Sequence, residues 1–171
     1  MTDALLDPLR HNDWATKQLL GFCRDLTPEQ LNSAAEGTYG SIIATLQHLI
    51  GAESRYLFRL TDARPDWSGQ PEDTEDLAEL ERMVDDASKL WDEAAGGDFD
   101  PDRVISWISQ PSGDHCEAHA GMLVAQNLNH GNEHRAQIFT VLTTIGIEPP
   151  ELDGWAYGWA NGRFKETPQG S

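Results

Sequence analysis

Cysteine is scarce: two in 171 residues, Cys23 and Cys116, far apart and without a C-x-x-C. That excludes a redox dithiol and a zinc ribbon. Both are expected to be small buried hydrophobes in a reducing compartment. Basic residues are scarce as well. Twelve Lys and Arg, three of them Lys, stand against 29 Asp and Glu, for a formal net charge of -17. Phosphate backbones and anionic lipid repel such a surface, so no nucleic-acid partner and no membrane partner is expected. The acidity reads as solubility, or as adaptation to a salty interior, rather than as a partner-binding face. No run approaches the roughly 18 apolar residues of a spanning helix, and no basic segment precedes an apolar stretch at the N-terminus. A soluble, cytoplasmic protein is expected. Strand-like runs are few, with Val104-Ile105-Ser106-Trp107-Ile108 standing apart from the rest of the chain.

What the sequence does have is helical periodicity. Leu5, Leu6, Leu9, Trp14, Leu19, Leu20, Phe22, Cys23 and Leu26 predict a first helix over residues 4–25, with Asp7-Pro8 marking its start. Thr27-Pro28-Glu29-Gln30 has the form of a capping box opening a short turn through Leu31. Ser41 is a candidate N-cap for a second long helix to Leu60, with Ile42, Leu46, Leu49, Ile50, Leu57 and Leu60 as its core stripe. Residues 62–73 read as a loop. Thr74, followed by Glu75 and Asp76, opens a third helix that Gly96-Gly97 stops. The Val104–Ile108 run, Pro111-Ser112-Gly113 and His115-Cys116-Glu117 suggest a small hairpin leaning on the helices. A fourth long helix runs from Ala118 or His119 to Ile145, about 40 Å. Asp153 then caps a short helix around Trp155. The fold class expected is all-α, an antiparallel four-helix bundle with a hairpin insertion, in one domain over residues 1–165 with a flexible tail over 166–171.

The chemistry-bearing residues are histidines. His130 and His134 are four apart, so on a helix they share a face about 6 Å apart at Cβ and can bind one ion. His48 lies at the edge of its stripe among Ala44, Thr45, Gly51 and Ala52, small neighbours that leave room around an imidazole. Three imidazoles plus solvent is the pattern of a catalytic rather than a structural zinc site. Nickel, iron and copper accept the same ligands. The bland alternative makes the pair surface or capping histidines and His48 a satisfied core residue. His115 and His119 form a competing pair where hairpin meets helix, and His11 is expected to be exposed beside Arg10 and Asn12.

Several segments together resemble the DinB/YfiT-like family of four-helix-bundle metalloproteins. They are Asn12-Asp13-Trp14-Ala15, Gly40-Ser41-Ile42, Thr45-Leu46-Gln47-His48-Leu49, Asn129-His130, and His134-Arg135-Ala136-Gln137-Ile138. Leu142 to Gly146, Pro149-Pro150 and Leu152-Asp153 follow in order. The resemblance implies a divalent metal held by His48, His130 and His134, with water completing the shell. Zinc or nickel leads, with iron or manganese as alternatives. Relatives include bacillithiol S-transferases and mycothiol-dependent isomerases, so it also implies a low-molecular-weight thiol, a small electrophilic substrate and a homodimer. The reactions to weigh are thiol transfer, metal-assisted hydrolysis and non-catalytic metal binding in a stress response. Glu133, about 100° round the helix from His134, is the candidate acid/base. Arg135 and Gln137 are expected to bond acidic or ligand-supporting neighbours rather than substrate.

Overall fold

Helix α1, Leu6–Cys23, buries Leu9, Ala15, Leu19, Leu20 and Cys23. The computed structural model describes residues 6–110 and 112–167, so the expected helical residues 4 and 5, Pro111 of the expected turn and the tail from 168 onward lie outside the described residues. The capping box forms: Thr27 Oγ1 accepts the Gln30 N–H while Gln30 Oε1 accepts the Thr27 N–H, opening α2, Pro28–Leu31. Ser41 Oγ accepts the Ala44 N–H and opens α3, Ile42–Thr61. That helix stops at Asp62, whose φ of 58° is left-handed, a conformation Asp tolerates through its short polar side chain.

The loop that follows contains a 3-10 turn at Pro71–Asp73 and buries Trp67. Helix α4, Leu77–Ala95, starts later than Thr74 because Asp76 is the true cap, its carboxylate accepting the Ala78 N–H. Thr74 Oγ1 accepts instead from the Asp76 N–H, just outside the helix. Strands β1, Val104–Ile108, and β2, His115–His119, pair antiparallel with Val104 opposite His119 and Ile108 opposite His115. Gly113 at the tip takes φ 75°, the left-handed turn position that suits glycine. The hairpin leans on the helices as required: Ile105 is buried, β1 touches α3 and β2 touches α5.

Helix α5 spans Ala120–Thr144, ending one residue short of Ile145, and α6 spans Gly154–Ala160 with Asp153 accepting the Trp155 and Ala156 N–H groups. The described residues are thus mostly helical with one small antiparallel sheet. Helix α1 packs against α4 and α5, and α3 packs against the same two, so the four long helices enclose one core. Leu20, Leu46, Ile50, Met83 and Ile138 are fully buried in it. Each side chain of this kind contributes about 1.5–3 kcal/mol by leaving water. Among the described residues no helix is long and apolar enough to cross a membrane.

Two expectations about exposure are corrected. His11 is half-buried rather than exposed: its Nε2 lies 2.8 Å from the Leu152 carbonyl oxygen, and its ring sits against Trp14 and Tyr157. Cys23 is fully buried, which pushes its thiol up to about 12. Cys116 is only half-buried, on a strand of a two-stranded sheet that the helices cover incompletely.

Candidate metal centre

Because α3 and α5 pack together, His48 on one faces His130 and His134 on the other. His130 Nε2 lies 3.2 Å from His48 Nε2 and 3.1 Å from His134 Nε2. The three candidate ligand nitrogens all lie within 4.8 Å of one another. His134 Nδ1 sits 3.0 Å from Gln137 Oε1, an acceptor, so Nδ1 carries that ring's proton and Nε2 presents a lone pair. A neutral His130 has one N–H to offer, which serves at most one of its two neighbours. The remaining lone pairs would face each other unrelieved unless a cation stood among them. Ligands about 2.0–2.1 Å from a tetrahedral zinc stand roughly 3.3–3.4 Å from one another, near the separations of the two short pairs. The donor set fits a divalent metal.

The surroundings hold the rings in that state. Burial, reinforced by His134, His48 and Arg55, pushes His130 down to about 4. His48 is also lowered, by burial first and then by His134 and Arg55, against a smaller opposing pull from Glu72. Both imidazoles therefore stay neutral, the form a metal needs. Gln137 Oε1 also accepts the Tyr39 N–H at 3.1 Å, tying the loop before α3 to the His134 ring. Outer partners of this kind fix the tautomer and orientation of a ligating histidine. Tyr39 stacks on His48 with ring centroids 4.0 Å apart while remaining 53% exposed, so it covers the cluster from the solvent side.

A family model described as the DinB family matches residues 1–169. The chain belongs to the DinB family. No curated protein matches it.

In this DinB-family chain the other candidates are placed elsewhere. His115 and His119 stand on β2, where four residues span about 13 Å, and His119 Nδ1 lies 2.9 Å from the Asp102 carbonyl oxygen. They share no helical turn. Glu133 is exposed, and the hydrogen bonds of the clustered rings run to one another and to Gln137 instead. Gln137 meets the His134 ring rather than an acidic neighbour. Arg135 is turned away from the cluster into the core, only 5% exposed, where its Nη1 donates to Asn12 O and Oδ1 and to Thr16 Oγ1.

That arginine leads to a buried polar layer that the sequence reading did not identify. Glu53 on α3, 3% exposed, accepts through Oε1 from Trp91 Nε1 at 2.9 Å, Asn127 Nδ2 at 3.3 Å and Asn12 Nδ2 at 3.4 Å. Burial drives Arg135 down to about 10, against the opposite influence of Glu53 and Asp13. Asp13 is buried beside Glu53, and its Oδ1 meets no hydrogen-bond donor. Burial first, then the charge of Glu53, raises Asp13 well above the carboxylate range. Burial raises Glu53 too, while Asn127, Trp91 and Arg135 favour its charged form. Asp13 therefore keeps a proton and donates it toward Glu53, leaving one negative charge for Arg135.

A pH signature follows. Unfolded Asp13 loses its proton near 3.8, whereas the folded chain keeps it to higher pH. The associated stabilisation is full below the unfolded value and is lost as pH rises through the folded one. Asp13→Asn, which donates at every pH, should gain stability on the parent chain progressively as pH rises above about 4, measured by urea unfolding. Parallel profiles for the two proteins would show that Asp13 is not the group holding the proton.

Proposed function

We propose that His48, His130 and His134 hold a divalent metal, zinc or nickel, and that the protein uses it to join a low-molecular-weight thiol to a small electrophile. The convergence of three imidazole nitrogens from two packed helices carries the metal half of this reading. The thiol half rests on the resemblance to thiol-dependent members of the family. The frame is an antiparallel four-helix bundle, in which sites are built from side chains on facing helices. Three protein ligands leave at least one position open, and the metal chemistry available there is to deprotonate a coordinated thiol or lower the pKa of coordinated water.

The chain's own residues supply the rest. Burial keeps His48 and His130 neutral. Gln137 holds the His134 ring with Nε2 free, and Tyr39 shields one side of His48. Glu133, exposed one place before His134, is the residue positioned to exchange a proton through solvent.

Elemental analysis of untagged protein should find one metal per chain, lost in His48→Ala and His134→Ala. Gln137→Ala should retain the fold but weaken metal affinity by about 10–100-fold, the usual cost of losing a ligand's hydrogen-bond partner. With a panel of thiols and electrophiles, consumption of thiol should require metal and all three histidines. Turnover without added thiol would replace thiol transfer by metal-assisted hydrolysis. A metal-dependent gain in stability with no turnover of any kind would make the protein a binding module.

A further inference from the structure

A cleft of about 500 Å³ beside the hairpin is lined by Arg55, Phe58, Arg59, Arg64, Trp107 and Ile108, with no carboxylate in its wall. Three arginines meet there in a chain whose net charge is -17. Arg10, Lys17, Arg24, Arg82, Lys89 and Arg163 each pair with a carboxylate. Arg55, Arg59 and Arg64 make no ion pair among the described residues, although Asp62 and Asp66 flank Arg64 in sequence. Aromatic faces hold two of them in place instead. The Arg59 guanidinium carbon lies 5.0 Å from the Trp107 ring centroid, and that of Arg64 lies 4.6 Å from the Phe58 centroid. Stacking of this kind restrains the guanidinium plane and leaves its N–H edge free to donate.

The cleft is also connected to the histidines. Arg55 lies seven residues after His48, two helical turns and about 10.5 Å along the same side of α3. Its side chain folds back along α3 toward the histidines, with Nη1 3.6 Å from where a β-carbon on Gly51, three residues after His48, would stand. An otherwise anion-repelling surface thus turns locally cationic next to the candidate metal centre. Planar N–H forks on rigid aromatic supports match carboxylate and phosphate geometry.

We propose that the Arg55–Arg59–Arg64 cleft binds the carboxylate or phosphate of an anionic small-molecule substrate whose reactive end reaches the histidine cluster. The substrate is then an acid about 10 Å long between its anionic group and its reacting atom. The reacting end rests on the metal reading given above; the anion site stands without it.

The test is therefore done first on metal-free protein. Inorganic phosphate and succinate are titrated separately, against sodium chloride at matched ionic strength, while the arginine Nε–H and tryptophan indole signals are followed by NMR. One or both probes should give saturable shifts at Arg59, Arg64 and Trp107. Arg59→Ala and Arg64→Ala should each weaken binding about tenfold, a typical effect of losing one charge-assisted contact. Arg59→Lys and Arg64→Lys should keep part of the affinity, separating charge from folding. The stronger of the two probes assigns the anion as phosphate or carboxylate. Shifts matched by chloride, or surviving unchanged in Arg55→Ala/Arg59→Ala/Arg64→Ala, would overturn the site. Metal analysis of the same variants keeps the two readings apart: anion binding without metal removes the metal centre alone, and metal binding without anion binding removes the cleft alone.

Discussion

Glu53→Ala should cost about 3–5 kcal/mol, the loss expected when one partner of a buried charge pair is removed and the other is left uncompensated. Domains of this size are stable by only about 5–15 kcal/mol, so the variant is expected at the edge of folding. The expectation follows from what Glu53 Oε1 holds: the Trp91 indole N–H and the amides of Asn12 and Asn127, while its charge offsets that of Arg135. Glu53→Gln should cost clearly less. The amide keeps an acceptor for Trp91, and Asp13, relieved of a neighbouring negative charge, is freer to ionise and face Arg135. Adding Asp13→Asn to Glu53→Gln removes that relief and should bring the cost back toward the alanine value. Urea unfolding followed by far-ultraviolet circular dichroism gives the three numbers. A cost below about 1 kcal/mol for Glu53→Ala would mean that water enters the layer and replaces the carboxylate.

Gly131→Ala should destabilise by about 2 kcal/mol, against the ordinary preference of helices for alanine. A β-carbon there would fall 2.2 Å from Asn12 Oδ1 and 3.0 Å from Arg135 Nη1. Neither atom can retreat freely, because the two are hydrogen-bonded to each other at 2.9 Å in the buried layer. Gly21→Ala in α1 is the matched control: nothing lies within 4 Å of its added carbon, so the same substitution should stabilise, by up to about 1 kcal/mol. Opposite signs for the two variants would establish that glycine at 131 is there to let α1 approach α5. Equal effects would refute it.

The histidine cluster was legible in the sequence because spacing on a helix is geometry. His130 and His134 share a face on any helix, and His48 needed only a helix that packs on theirs. Caps were legible for the same local reason, as Thr27 and Ser41 show. The buried layer left a fainter trace. Leu46, Ile50, Glu53, Leu57 and Leu60 are spaced four, three, four and three apart, so Glu53 occupies a core position of the stripe it interrupts. Gly131, Arg135, Ile138 and Leu142 repeat the pattern on α5. Each polar residue alone looks like a solvated charge. Only the approach of three helices shows that Asp13, Glu53 and Arg135 compensate one another. The same limit hid the arginine cleft: Arg55, Arg59 and Arg64 are near in sequence, but Trp107 comes from the hairpin. Tyr39 lies in a loop, where periodicity says nothing of direction, so its place over His48 shows only in the fold.

Helix α3 carries His48, Glu53 and Arg55 within eight residues, and their azimuths differ sharply. Glu53 points about 140° away from His48, whereas Arg55 returns to within about 20° of it. Inserting or deleting a single residue between His48 and Glu53 would turn everything beyond it by about 100° relative to His48. The carboxylate would swing out of the core as the arginine left the cleft. Sequence length in this segment is consequently as constrained as residue identity. The loop over residues 62–73 has no helical phase to keep, although its Trp67 is buried and its Pro71–Asp73 turn packs against α3.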